Sequence, residues 1–176
     1  MDRSGGISRV ESSISSVMNR HSLDLLFCAD QIQTGTKGLI VFGSQPRDPL
    51  DEITLIYRRD GNGHFPHRLD VPGGGADPGE SPYDTFRRES MEEFGLEVSP
   101  GHVSYSRAYD TENGKRTYFV VARLAIQFAE KIRLGDEGEC YFLMRLGDYL
   151  RQQDVIPVMN ERIYHYLGYI SSTTMA

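Results

Sequence analysis

The sequence predicts an α+β domain, and three observations carry that expectation. Apolar, β-branched runs are separated by breaker-rich loops, an Asn-Gly pair lies between two of them as a hairpin turn, and two later segments carry helical spacing. With 176 residues, 39% of them hydrophobic, the chain supports one good core rather than two. The expected organisation is an N-terminal extension over residues 1–35, a folded domain over 36–170 and a tail over 171–176.

Residues 1–22 are rich in serine, yet Ile7, Val10, Ile14 and Val17 trace one helical stripe. An amphipathic helix packed on the domain or on a second subunit fits this spacing. So does a plain tail, because serine forms helices poorly. A homodimer is therefore one assembly the sequence leaves open.

Residues 37–42 and 52–57 read as strands on either side of the loop 43–49, which holds Gly43, Pro46 and Pro49. Leu69, Asp70, Val71 and Pro72 then lead into Gly73, Gly74 and Gly75, where the backbone can approach a ligand closely. A helix is predicted from Ser81, a capping residue, and Pro82, which suits the first helical position, to Gly95, which favours the left-handed turn that ends a helix. Tyr83, Phe86, Ser90 and Phe94 make its core-facing stripe.

Residues 103–109 and 116–128 read as strands joined by the turn that contains Asn113 and Gly114. An apolar segment follows over 140–143, then a connecting turn over 144–150. The spacing predicts a closing helix over 157–170, packed through Val158, Ile163, Tyr166 and Leu167.

The chemistry concentrates in residues 74–96. Gly74, Glu80, Arg88, Glu89, Glu92, Glu93, Gly95 and Leu96 fall at the spacing G-x5-E-x7-R-E-U-x-E-E-x-G-U, where U is aliphatic and only Ser90 departs from the pattern. On a helix turning about 100° per residue, Glu89, Glu92 and Glu93 share a face. Crowded carboxylate oxygens of this kind suit Mg2+ or Mn2+, which bind together with phosphates and water.

This spacing resembles the signature of the Nudix hydrolases, which cleave nucleoside diphosphates linked to another group. The resemblance implies a mixed β-sheet sandwiched between α-helices. It also implies metal ligation by Glu89, Glu92 and Glu93 and by the backbone carbonyl of Gly73. Gly74, Glu80 and Gly95 would support the motif, and Arg88 would orient one of its acids.

In similar proteins the general base comes from the motif or from a later loop. Here the acidic run 135–139 offers Glu139 first, with Glu137 and Glu92 behind it, while a solvated acidic turn is the bland alternative. The implied activity is a metal-dependent pyrophosphohydrolase acting on a nucleotide sugar, a dinucleotide or a nucleoside triphosphate. A catalytically silent nucleotide-binding or sensor module of the same fold is the alternative. Isoprenyl diphosphate isomerisation lacks a convincing partner cysteine.

Arg58, Arg59 and Arg68, with His64 and His67, gather in one loop of an otherwise acidic chain and are candidate grips for substrate phosphates. Tyr105, Arg107 and Tyr109 alternate onto one strand face that could flank a base or sugar, although core packing is the simpler expectation. A net charge of −6 argues against broad binding of nucleic acid or anionic membrane and leaves a nucleotide-like small molecule as the expected partner. Cys28 and Cys140 are too few for a disulfide framework, and no apolar run is long enough to span a bilayer. The N-terminus also lacks a signal-peptide pattern, so the expected location is cytoplasmic.

Overall fold

In the computed structural model, which describes residues 25–174, strand β1 (Gln33–Phe42) feeds two apolar layers at once. Leu39 and Val41 enter one core, and Ile40 and Phe42 enter the other, as the two-residue period of a strand requires. β6 (Arg116–Leu124), its parallel neighbour, divides in the same way between Phe119 and Val121 on one side and Val120 and Ala122 on the other. A strand buried on both faces reads as a nearly continuous apolar run, as both of these do.

β2 (Ile53–Arg58), β3 (Leu69–Asp70), β4 (Gly73–Gly75), β5 (Val103–Asp110) and β7 (Cys140–Arg145) complete a seven-stranded sheet. Its order is β3-β2-β1-β6-β5, with β4 on β1 and β7 on β2. Only β1 and β6 pair in parallel; the remaining pairs among these strands are antiparallel, so the sheet is mixed. Helix α1 (Pro82–Phe94) covers one face through Tyr83, Phe86 and Phe94. Helices α2 (Leu146–Leu150) and α3 (Pro157–Thr174) cover the other through Leu146, Tyr149, Met159, Ile163, Tyr166 and Ile170. This is the helix–sheet–helix sandwich of the α+β expectation.

The ends of α1 follow from its terminal residues. Ser81 Oγ accepts from the Asp84 N–H at 3.1 Å, and the Asp84 carboxylate accepts from the Ser81 N–H at 3.3 Å, a reciprocal capping box with Pro82 just inside. Gly95 ends the helix at φ 65 in the left-handed region. Ser90 is fully buried on the core stripe, and its hydroxyl donates to the Phe86 carbonyl at 2.7 Å. The one departure from the motif therefore leaves no unpaired polar group in the core.

Several boundaries differ from the sequence reading. β1 starts at Gln33, inside the stretch read as an extension, because it pairs with both β4 and β6 there. β6 ends at Leu124 rather than continuing to residue 128. Its neighbour β1 stops at Phe42, where Gly43 turns at φ 84, and the unpaired chain coils into a 3-10 helix over Ile126–Lys131. The segment read as a connecting turn holds the short helix α2, anchored by fully buried Leu146 and Tyr149. Val158 is 41% exposed, and the buried stripe of α3 begins one residue later at Met159, about 100° further round the helix. The helical stripe read over residues 7–17 lies outside the described residues.

Candidate active site

The glycine run reaches the site as β4, antiparallel to β1, with Gly74 opposite Thr36 and Gly73 opposite Lys37. Gly73 sits at φ 118, where a side chain would be strained and would strike the Thr36 carbonyl. A Cβ on Gly74 would lie 2.5 Å from the nearest Glu89 carboxylate oxygen. The two glycines thus let the carboxylates of α1 come down onto bare backbone.

Glu93 is the buried acid of the group, 4% exposed, with Oε2 accepting from the Gly73 N–H at 2.8 Å. Burial pushes its carboxyl up to about 7, against the opposing pull of Lys37 and of the Gly73 hydrogen bond, while nearby Glu89 and Asp70 add to the rise. Burial raises Glu89 as well, offset in part by Arg88.

Arg88 organises the remaining acids. Its Nε donates to Glu80 Oε1 at 2.8 Å, Nη1 to Glu89 Oε1 at 2.8 Å and Glu92 Oε2 at 3.0 Å, and Nη2 to the Gly75 carbonyl at 2.8 Å. The Arg88 hydrogen bond is the main reason the Glu80 carboxyl falls to about 2. Glu92 leans outward onto Arg88 with its side chain 60% exposed.

Among the described residues no three His, Cys, Asp or Glu side chains are gathered into a ready metal cage. The hydrogen bonds explain this spacing: Arg88 draws Glu89 and Glu92 to itself, and Gly73 draws Glu93. The chemistry of the donors nevertheless fits a hard cation, since Glu89 and Glu93 are both desolvated, the charge of Glu89 adds to the rise at Glu93, and both open to the same cavity.

That cavity, of about 490 Å³, is bounded by Glu89, Glu93 and the three glycines on one side. Lys37, Tyr57, Arg59, Thr117, Glu137 and Arg162 form much of the rest. Asp70, almost wholly buried, holds Lys37 Nζ and Arg59 Nη1 at 2.9 Å each. One acid therefore positions two cations that face the cavity.

The three candidate arginines part company. Arg59 lines the cavity. Arg58 pairs with Asp154 at 2.7 Å and donates to the His67 carbonyl at 2.6 Å, and Arg68 donates to the Gln153 carbonyl at 3.1 Å. Those two arginines fasten their loop to residues 153–154. In the acidic loop Glu137 lines the cavity, whereas the Glu139 carboxylate is engaged by His67 Nδ1. Gly138, at φ 97, lies between them and packs against Tyr57.

Tyr105 is buried against Tyr166 and Tyr169, with ring centroids at 5.4 and 5.2 Å, so it belongs to the core. Lys37, Asp70, Thr117 and Arg162 escaped the sequence reading. Lys37 carried one signal, a lysine placed within an apolar strand run. The others acquire their role only through the packing of elements distant in sequence.

A family model described as the NUDIX domain matches residues 37–164. A search among curated proteins finds no sequence match. Among solved structures, a C. elegans Ap4A hydrolase binary complex has a TM-score of 0.58 at 17% identity, covering 78% of this chain and 98% of that one. The MutT protein from Methanosarcina mazei Go1 has a TM-score of 0.59 at 19% identity, covering 79% and 95%. The NUDIX domain of Shewanella oneidensis NrtR, complexed with ADP ribose, has a TM-score of 0.55 at 16% identity, covering 78% and 89%. These likenesses establish the fold, and the domain match spans well over half of the sequence with its motif helix at the cavity wall: the chain belongs to the Nudix hydrolase family.

Proposed function

We propose that the protein is a divalent-metal-dependent pyrophosphohydrolase that cleaves a nucleoside diphosphate linked to another moiety. The observation that carries this reading is the pair Glu89 and Glu93, two desolvated carboxylates set against the backbone of Gly73 and Gly74 in a cavity that also presents cations. Glu89, Glu93, Glu92 and the Gly73 carbonyl are the groups that would hold Mg2+ or Mn2+. When bound, such an ion offsets charge on the phosphate oxygens and makes water a stronger acid.

The protein's own groups supply the rest. Lys37 and Arg59, fixed by Asp70, attract and orient phosphate oxygens. Glu137 accepts the proton of the attacking water, because it is the acid of the 135–139 loop that faces the cavity. The water oxygen bonds to phosphorus, the bridging P–O bond breaks, and the leaving phosphate keeps the electron pair. Arg88 holds Glu80, Glu89 and Glu92 in register and takes no proton.

Likeness to an Ap4A hydrolase and to a domain complexed with ADP ribose supports a nucleotide-like small molecule as the substrate class. Free Cys28 and Cys140 suit a reducing, cytoplasmic setting, and no helix among the described residues is long and apolar enough to cross a membrane.

The test is a panel of nucleotide sugars, dinucleotides and nucleoside triphosphates incubated with the protein, with and without Mg2+ or Mn2+, followed by product analysis. Metal-dependent release of a nucleoside monophosphate is expected. No turnover of any diphosphate compound at saturating metal would overturn the reading, and tight binding without cleavage would point to a sensor module instead.

A further inference from the structure

The cavity extends beyond the glutamates. It passes the N-terminal end of β1 and is bounded by α1 residues from one face of the sheet and by Met159 and Arg162 of α3 from the other. A ligand whose diphosphate rests beside Glu89 and Glu93 therefore has room for further atoms on the side of α3.

Arg162 is what they would meet. It is only 7% exposed, and no carboxylate among the described residues forms an ion pair with it. Nη2 donates to Thr117 Oγ1 at 2.7 Å, and the guanidinium lies 4.9 Å from the Tyr109 ring centroid, which fixes its plane. Its Nε is buried with no hydrogen-bond partner. Burial also pulls its pKa downward, the sign of a cation held without full compensation.

A buried, oriented and unneutralised guanidinium in the wall of an open cavity is costly unless an anion completes it. Arg59, just beyond β2, lines the same cavity and also has a buried Nε with no partner, but its charge is met by Asp70 at 2.9 Å, so among the described residues Arg162 is the guanidinium of the two that lacks an ion pair. The planar donor fork of arginine matches phosphate oxygens better than any other side chain does.

We propose that Arg162, oriented by Thr117 and Tyr109, is a specificity-determining residue that binds a phosphate beyond the diphosphate held at the glutamates. It thereby selects substrates with three or more phosphates in the chain over diphosphate-linked sugars. The direction of the ligand rests on the hydrolase reading above, but the binding itself can be measured without turnover.

The experiment is calorimetric titration, at fixed free Mg2+, with AMP, α,β-methylene-ADP and α,β-methylene-ATP, the two methylene analogues resisting cleavage at the bond nearest the nucleoside. The wild type should bind the ATP analogue more tightly than the ADP analogue. Arg162→Met, which keeps an unbranched apolar stem, should lose that preference and weaken the ATP analogue by at least about tenfold while leaving AMP nearly unchanged. Arg162→Lys should recover part of the preference, since it restores charge but not the fork. Mn2+ binding, followed by electron paramagnetic resonance, should stay at the wild-type value in both variants.

The proposal is overturned if the wild type shows no preference for the third phosphate, if Arg162→Met keeps the preference, or if it weakens all three ligands by the same factor. Should Arg162→Met fail to fold, Arg162→Lys and Thr117→Val decide by the same ratio, a reduced preference supporting the assignment and an unchanged one removing it. Absence of metal-dependent turnover alongside an Arg162-dependent preference would count against the hydrolase reading alone.

Discussion

The backbone N–H of Gly73 donates to Glu93 Oε2 at 2.8 Å, which ties the glycine strand to the most buried acid of the motif helix. The contact is available because Gly73 adopts φ 118 against Thr36 and Lys37, a conformation and a closeness that no side chain tolerates. Strand and helix are thereby held at a fixed separation, and the carboxylates between them inherit it.

On the proposed metal-dependent reading, Glu93→Gln should lower turnover by at least about a hundredfold, since it would remove a charged ligand while keeping its volume. Its stability effect has the opposite sign. The folded carboxyl sits at about 7, above its ordinary 4.5, so the metal-free fold is favoured while Glu93 is protonated and loses that advantage as pH rises from about 4.5 to 7. A shift of this size corresponds to about 3 kcal/mol. Thermal melts in EDTA should therefore find Glu93→Gln more stable than wild type at pH 8 and equal to it at pH 4. Equal melting temperatures at both pH values would remove the argument.

Glu80 has the reverse dependence. Its carboxyl lies at about 2 because Arg88 donates to it, so its contribution is complete above about 4.5 and is lost as pH falls toward 2. Glu80→Gln should lower the melting temperature at pH 7, with a ceiling of about 3 kcal/mol, and the gap to wild type should close near pH 2. A gap that stays constant across this range would mean that the ion pair with Arg88 contributes little.

Gly74→Ala tests the close approach of Glu89. The added methyl would lie 2.5 Å from a carboxylate oxygen, but that oxygen ends a flexible side chain that can swing away. The expected outcome is a loss of kcat of about tenfold or more and weaker metal binding, with a melting temperature within a few degrees of wild type. Full activity would show that Glu89 is not needed where the structure places it.

The acidic loop yields a ranking. Glu137→Gln should reduce kcat by about a hundredfold with KM little changed, because Glu137 faces the cavity. Glu139→Gln should be milder and act through its contact with His67, which secures the loop. Kinetics giving the reverse order would return the role of base to Glu139, the first choice from sequence. Small effects in both would move it to Glu92 or Glu89.

The sequence by itself determined the motif helix almost to the residue, because the signals that start and stop it are local. Ser81 and Pro82 at one end and Gly95 at the other act through their own backbones, and a helical period places Glu89, Glu92 and Glu93 without help from the rest of the chain. The Asn-Gly hairpin and the core strands were legible for the same reason. Strand ends were not: β1 gains its first residues, and β6 loses its last, through pairing with partners tens of positions away. Tertiary structure alone decided which charges reach the cavity. Arg58, Arg59 and Arg68 look alike in sequence, yet only Arg59 lines it, while Asp154 and the Gln153 carbonyl claim the other two. Buried Asp70 pairs with Lys37 from another strand, and Arg162 arrives from the far face of the sheet. An ion pair or a cavity wall depends on distances between elements that no local pattern encodes, so the carboxylate face could be read from the sequence, whereas of its cationic counterpart only Arg59 was among the candidates and Lys37 and Arg162 were not.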